Sequence, residues 1–393
     1  VFDPADPGFL ADPYPVFAAL REQGPVHWHE GLGVHIAVSY AACDALLRDR
    51  ALGRIWRDRE PAETFPAFNL LHQTSILESE PPTHTRLRRL VAGAFGRGHV
   101  ERMRPWVASV ADRLVSDFVA RLKDGEPADL IAGVAEPLPV EVIAELLGVP
   151  AADRGLLRPW SNAIVKMYEY GLSPQLQTAA EDASREFVEY LRELVDVRRH
   201  EPDGSDLISD LVRASDGADR LSPDEIVGTC VLLLMAGHEA TVNVVGNGIF
   251  ALTRRPDEWR RVVADPSLVA GCAEEMTRYD SSLQLFERTA TADLELAGTP
   301  IAAGTKVAAL LGAANRDPAA FGDPDRFDAA RSGTTHLAFG SGIHFCLGAP
   351  LARIELQSVV ASLAARLPEL RLAEEPVRRP EFVIRGLTAL TLR

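Results

Sequence analysis

Cys346 lies inside the run Phe339-Gly340-Ser341-Gly342-Ile343-His344-Phe345-Cys346-Leu347-Gly348-Ala349-Pro350. Glycines permit backbone dihedrals closed to other residues and let a bulky group approach the main chain. An apolar helix is expected from Leu351 to about Leu367. The cysteine therefore enters a helix N-terminus, where free N–H donors and the positive dipole end favour a thiolate. Such a thiolate could hold a large planar metal cofactor. It does not suit zinc, because no second Cys or His lies at ligand spacing. His344 could be a second ligand, but alternate residues of an extended loop point to opposite faces. A catalytic thiol nucleophile is the competing chemistry, and it would need a positioned base such as His344. Cys43, Cys230 and Cys272 lack C-x-x-C spacing and read as small buried hydrophobes; disulfides are not expected in a reducing compartment.

A second unusual run is Met235-Ala236-Gly237-His238-Glu239-Ala240-Thr241. Glycine in a helix interior costs about 1 kcal/mol, and a buried carboxylate without a partner costs several more. An ordinary salt bridge at Glu239 and close helix packing at Gly237 would account for both. The alternative is a helix distortion that opens a polar notch in an apolar wall.

The element that positions this run starts at Ser222-Pro223-Asp224-Glu225. Ser222 suits the N-cap, Pro223 the first helical position, and Glu225 closes a capping box. Apolar residues continue to Arg254, before Pro256, giving about 32 residues or roughly 48 Å of helix. So long and apolar a helix must cross the core of a soluble protein. Glu225, His238, Glu239 and Asn243 interrupt it as a membrane span, and no run approaches the ~20 apolar residues that a span needs.

Further helices are read from three- and four-residue apolar spacing at Trp106–Leu122 and Thr178–Val197. Strand-like stretches are short: Val34–Ser39, Arg288–Leu296, Lys306–Leu311 and Thr388–Leu392. The fold class is mainly α with small β-sheets. No linker, repeat or block of like charge divides the 393 residues, so one domain over 1–393 is expected. Asp+Glu outnumber Lys+Arg, 56 against 41, for a formal charge of −15, which argues against a nucleic-acid partner. The N-terminus shows neither the basic nor the apolar region of a signal peptide, and a cytoplasmic, non-membrane protein is expected.

The cysteine run resembles the haem-binding signature of the cytochromes P450, F-x-x-G-x-x-x-C-x-G, at Phe339, Gly342, Cys346 and Gly348. His344 and Arg353 also stand where many bacterial members have them. Glu275-Met276-Thr277-Arg278 resembles the family's E-x-x-R, and Pro324-Asp325-Arg326-Phe327 its later P-x-R-F. His84 and Arg88, one helical turn apart, resemble a propionate clamp, and Arg288, beginning a strand, a further propionate-binding arginine. The resemblance implies a cytochrome P450 fold with the long helix over haem b. Cys346 becomes the iron ligand, in a haem-binding loop that includes Phe339, Gly340 and Gly348. His84, Arg88, Arg288 and His344 pair with the propionates, and Glu275, Arg278 and Arg326 form a structural triad.

The activity implied is reductive O₂ activation, with one oxygen atom inserted into a C–H bond of a small-molecule substrate. Electrons would come from separate proteins, a ferredoxin with its reductase or a flavodoxin-type donor, docking near Arg86, Arg89, Arg97 and Arg353. The chain shows neither a Rossmann-type fingerprint nor cluster-ligating cysteine sets of its own. A monomer is expected.

One departure stands out. The family's long helix reads A/G-G-x-D/E-T, and here Ala236, Gly237 and Glu239 fit while Ala240 replaces the alcohol. Thr241 is turned about 100° around the helix and does not replace the hydroxyl directly. The catalytic positions are thus Glu239, Ala240 and Thr241, with a substrate hydroxyl or an ordered water completing proton delivery. That favours a hydroxylated natural product such as a macrolide or polyketide. Oxidative coupling, peroxide-driven oxidation and a haem-binding sensor or carrier without turnover are alternatives; a haem-free cysteine hydrolase is another. Substrate-facing positions are Leu232, Met235, Ala236 and Ala240 on the long helix, and Gln284, Leu285, Val383 and Ile384 on strands. The segments 65–76 and 167–172 add apolar residues of the same kind.

Overall fold

The structure is a computed structural model describing residues 2–393 apart from 94, 124, 202, 203, 205 and 215–220. The side chains of Arg97, Lys123 and Ala214 also lie outside the described residues. Each helix read from the sequence is present: Arg97–Lys123 and Pro174–His200 extend beyond the expected bounds at both ends, Ala349–Arg366 starts two residues earlier, and Pro223–Thr253 stops one residue short of Arg254. Local signals explain where two of them start. Ser173 accepts the Leu176 N–H ahead of Pro174, satisfying one of the first-turn donors. At the long helix the capping box is complete: Ser222 N–H reaches Glu225 Oε2 at 2.8 Å and Glu225 N–H reaches Ser222 Oγ at 3.1 Å.

The chain forms two compact units, each discontinuous in sequence. The first contains Val1–Gly53, Met103–Leu138 and Ala240–Arg393. Its five-stranded sheet runs in the order Val26–His29, Val34–Ala37, Lys306–Leu310, Leu285–Ala290, Leu52–Gly53. The pair Val34–Ala37 and Lys306–Leu310 is parallel, and the other pairs are antiparallel. Leu52 and Val307 of this sheet join Cys43, Leu46 and Ile301 in one apolar cluster. A two-stranded sheet joins Ala128–Asp129 to Thr391–Leu392, so the last expected strand contracts to its final pair.

The stretch Arg288–Leu296 is not one strand. It divides into Leu285–Ala290 and Leu294–Leu296, because Asp293 leaves the ladder and accepts the Ala303 N–H at 2.8 Å. Arg288 therefore stands within a strand, opposite Val307, rather than at its start.

The second unit contains Arg54–Arg102 and Pro139–Glu239. Its described elements are helical. The Pro66–Gln73 helix is held at its N-terminus by Glu181 of the Pro174–His200 helix, which accepts the Ala67 and Phe68 N–H groups at 3.0 and 2.9 Å.

The long helix Pro223–Thr253 belongs to both units. By length and composition it could cross a membrane, contrary to the reading that charge interrupts it too often, yet 72% of its most apolar stretch is buried. That burial is what a core helix requires.

Candidate functional site

Cys346 is half-buried, whereas Cys43, Cys230 and Cys272 are buried. Burial pushes the thiols of Cys230 and Cys272 up to about 12 and raises that of Cys43 as well. A thiolate ligand needs the opposite, so the donor set leaves Cys346. The residues before it are not the extended loop expected from sequence: Gly342–His344 form a 3₁₀ turn. Gly340 and Gly342 both take φ of +71°, and a Cβ on Gly342 would lie 2.5 Å from the Leu47 carbonyl oxygen. Only glycine fits there. The turn closes when Cys346 N–H donates to the Phe339 carbonyl at 2.9 Å, and Ser341 Oγ anchors it to Asp44 at 2.8 Å. Beyond Gly348 the chain enters the Ala349–Arg366 helix. Among the described residues no group of three His, Cys, Asp or Glu side chains could hold a metal ion by itself. One accessible cysteine on a glycine-shaped turn fits a haem-thiolate ligand.

Glu275 and Arg278 are both 2% exposed and share two hydrogen bonds of 2.7 and 2.8 Å. The expected third member, Arg326, is corrected to Arg331. Arg331 Nε lies 3.0 Å from Glu275 Oε1, while the Arg326 side chain is exposed. Arg326 contributes its carbonyl instead, accepting from Arg278 at 3.3 Å and Arg331 at 2.7 Å. The segment after Pro324 thus binds the ion pair through its backbone, and the arginine five residues later folds back to supply the charge.

On the long helix, Ala236 and Ala240 are exposed and Leu232 is half-buried, an open stripe at four-residue spacing. Met235 does not share it: its side chain is 4% exposed, about 100° around the helix. The expected distortion is absent as well, since the helix stays α-helical through Gly237. A Cβ on Gly237 would sit 2.9 Å from Ile143 Cγ1, so this glycine serves close packing. Glu239 is 4% exposed and has His238 Nε2 at 3.4 Å.

Thr241 faces elsewhere. Its hydroxyl donates to Glu355, a residue that sequence reasoning missed. Burial pushes the Glu355 carboxyl up to about 8, with the Thr241 hydrogen bond acting in the opposite direction. The available signal was a lone acid between Ile354 and Leu356 in an apolar helix.

His84 is buried and Arg88 half-buried, four residues apart on the Thr83–Ala92 helix. Arg288 is 2% exposed, with its guanidinium 4.6 Å from the Phe286 ring centroid. The two strand segments expected near the substrate meet, Leu283 pairing with Ile384 and Gln284 N–H donating to Val383 O at 2.9 Å. Gln284 and Leu285 are buried, and Gln284 Nε2 is bonded to the Ser281 carbonyl at 2.6 Å. Gln284 is therefore corrected from a substrate contact to a framework residue. The segments 65–76 and 167–172 also meet: His72 Nε2 is 2.9 Å from Tyr168 Oη.

The expected docking cations are reduced in number. Arg86 pairs with Glu225 and Arg353 with Glu274 at 2.6 Å. Arg89 is exposed, and the Arg97 side chain lies outside the described residues.

Comparison with known proteins agrees with this arrangement. The family profile described as cytochrome P450 matches residues 160–367. Cytochrome P450 monooxygenase PikC of Streptomyces venezuelae is 43% identical over 393 residues, covering 98% of this chain and 92% of the relative. Mycinamicin IV hydroxylase/epoxidase of Micromonospora griseorubida is 42% identical, covering 81% of this chain and 77% of the relative. The solved structure of P450BioI in complex with acyl carrier protein ligated to hexadec-9Z-enoic acid superposes with a TM-score of 0.92 at 32% identity, over 98% of this chain and 99% of that one. The chain belongs to the cytochrome P450 family and is one of its monooxygenases.

Proposed function

We propose that this monooxygenase inserts one oxygen atom from O₂, by hydroxylation or epoxidation, into an apolar, hydroxyl-bearing natural product such as a macrolide or another polyketide. The observation that carries the reading is the open stripe of Leu232, Ala236 and Ala240, where the alcohol expected beside Glu239 is replaced by a methyl group. Thr241 gives its hydroxyl to Glu355 and is not a substitute. Glu239 holds the proton at its carboxyl, and a substrate hydroxyl or an ordered water carries it onward. The similarity to mycinamicin IV hydroxylase/epoxidase supports this substrate class.

Haem is the family's cofactor, and haem b is the form proposed, with Cys346 as iron ligand. When bound it supplies reductive O₂ activation, in which thiolate donation favours O–O cleavage. Phe339, Gly340 and Gly348 shape the loop around Cys346, while His84, Arg88, Arg288 and His344 would neutralise the propionates. Apolar residues around the substrate exclude water from the reacting centre. Electrons would come from a ferredoxin with its reductase or from a flavodoxin-type protein, to a monomer in the cytoplasm.

The test uses purified protein with ferredoxin, reductase and isotopically labelled O₂, on macrolides and their deoxy counterparts. Products should carry one labelled atom, with tight coupling of electron use to product only for the hydroxylated forms. Equal coupling on the deoxy forms, or a large gain in coupling from Ala240→Thr with the hydroxylated substrate, would overturn substrate-assisted delivery.

A further inference from the structure

Glu274 and Glu275 are adjacent on the Val269–Tyr279 helix and serve different partners. Glu275 belongs to the buried pair with Arg278. Glu274 reaches the other way, toward both ends of the cysteine turn. Arg353, seven residues after Cys346 and in the second turn of the Ala349–Arg366 helix, grips it with two hydrogen bonds, Nε to Oε1 at 2.6 Å and Nη2 to Oε2 at 3.0 Å. Such a bidentate pair fixes orientation as well as distance.

His336, on the chain entering the turn, places Nε2 3.3 Å from Glu274 Oε2. Its Nδ1 accepts the Ala338 N–H at 3.3 Å, so the ring hydrogen is carried on Nε2, the side of the carboxylate. Both partners also pack against Phe339. The Arg353 guanidinium lies 4.7 Å from the Phe339 ring centroid, and the His336 ring centroid lies 5.5 Å from it. Phe339 in turn accepts the Cys346 N–H through its carbonyl, at 2.9 Å. Burial opposes the Glu274 charge, yet the nearby His336 and Arg353 hold its carboxyl down at about 2.

We infer that Glu274 is a positioning residue for Cys346: it ties the chain entering the cysteine turn, through His336, to the helix leaving it, through Arg353, with Phe339 packed against both. An isolated half-exposed ion pair is worth little. Here one carboxylate links the two segments whose separation sets where the sulfur points, as outer partners of a metal ligand do. The inference rests on the proposal that Cys346 ligates haem iron.

The experiment compares haem-loaded wild-type protein with Glu274→Gln, Glu274→Asp and His336→Gln. It reads the rate of haem transfer to excess apomyoglobin and the spectrum of the reduced carbon monoxide complex. Glu274→Gln should lose haem about tenfold faster, the scale of losing such an outer partner. Part of its carbon monoxide complex should move from the thiolate band to that of neutral-thiol ligation. Glu274→Asp should recover some of both, and His336→Gln, which spares the ion pair, should shift both less and in the same direction. Unchanged haem loss and an unchanged spectrum in Glu274→Gln would overturn the inference, as would an effect confined to the salt dependence of reduction by ferredoxin. If Glu274→Gln does not fold, a wild-type result for His336→Gln overturns it. Wild-type protein without a thiolate band would fail the ligand assignment itself, a result separable from any change in the variants.

Discussion

Arg331 Nε lies 3.0 and 3.2 Å from the two oxygens of Glu275, and the same carboxylate accepts the Asp328 N–H at 2.9 Å. The ion pair on the Val269–Tyr279 helix is thereby joined to a distant segment through both a side chain and the backbone. Removing one partner of a buried pair leaves an uncompensated charge and costs about 3–5 kcal/mol. Arg278→Ala is expected to lose stability on that scale. Arg331→Ala should lose about 1.5–3 kcal/mol, as for hydrogen bonds to a charged group, and Arg326→Ala, an exposed side chain, no more than about 0.5 kcal/mol. Urea denaturation of the three variants checks this order; equal losses for Arg326→Ala and Arg331→Ala would refute the assignment.

The glycines around Cys346 are not equivalent. Gly342 has φ of +71° and the Leu47 carbonyl 2.5 Å from where a Cβ would be. Gly348 has φ of −79° and nothing within 4 Å of its Cβ position. Alanine at 342 combines backbone strain of about 1–3 kcal/mol with a collision against main chain that cannot yield. Gly342→Ala should purify with little haem, whereas Gly348→Ala should keep its content near that of the wild type. Haem-to-protein ratio after purification is the measurement, and equal loss in both variants would show that the turn geometry is not what matters.

Legibility followed the range of the interaction. The capping box at Ser222 and Glu225 is local, and the structure contains both of its bonds. The helices were legible because apolar spacing reports one buried face, and the cysteine turn because glycine marks backbone that other residues cannot adopt. Arg331 was missed because P-x-R-F points to Arg326, and only the folded backbone reveals that its carbonyl makes the contact. Gln284 was placed toward the substrate by its strand position alone, whereas its side chain is buried and bonded to the Ser281 carbonyl. Glu355 and Glu274 were missed for a shared reason: their partners are 114 and 79 residues away, respectively, a separation that periodicity does not encode.

Cysteine chemistry separates the four thiols. Cys346 is half-buried while Cys43, Cys230 and Cys272 are buried, their thiols raised by desolvation. Thiolate is the reactive form, so iodoacetamide at pH 8 should label Cys346 in haem-free protein well before the others. Reconstitution with haem should protect it. Peptide mass spectrometry reads the outcome; labelling of Cys346 at the same rate with and without haem would argue against its being the ligand.

Glu355 makes stability depend on pH in a direction opposite to that of an ion-paired carboxylate. Its carboxyl is raised from the ordinary value of 4.5 to about 8, by burial, while Thr241 favours the charged form. Below about pH 4.5 the group is protonated in folded and unfolded chains alike and carries no penalty. Between there and about pH 8 the folded chain keeps a proton that the unfolded chain releases, so stability falls as pH rises, and above that window this group adds no further slope. Glu355→Gln stays neutral throughout and should remove this part of the decline, on the order of several kcal/mol across the window. Thr241→Val removes the donor that favours the carboxylate, so the pKa rises further and the decline should continue to higher pH. Melting temperatures across pH 5–9 for the three proteins carry the test, since groups common to all of them cancel. Parallel curves for wild type and Glu355→Gln would mean that Glu355 is charged in the folded protein, and the contact with Thr241 would then have to be that of an ordinary carboxylate.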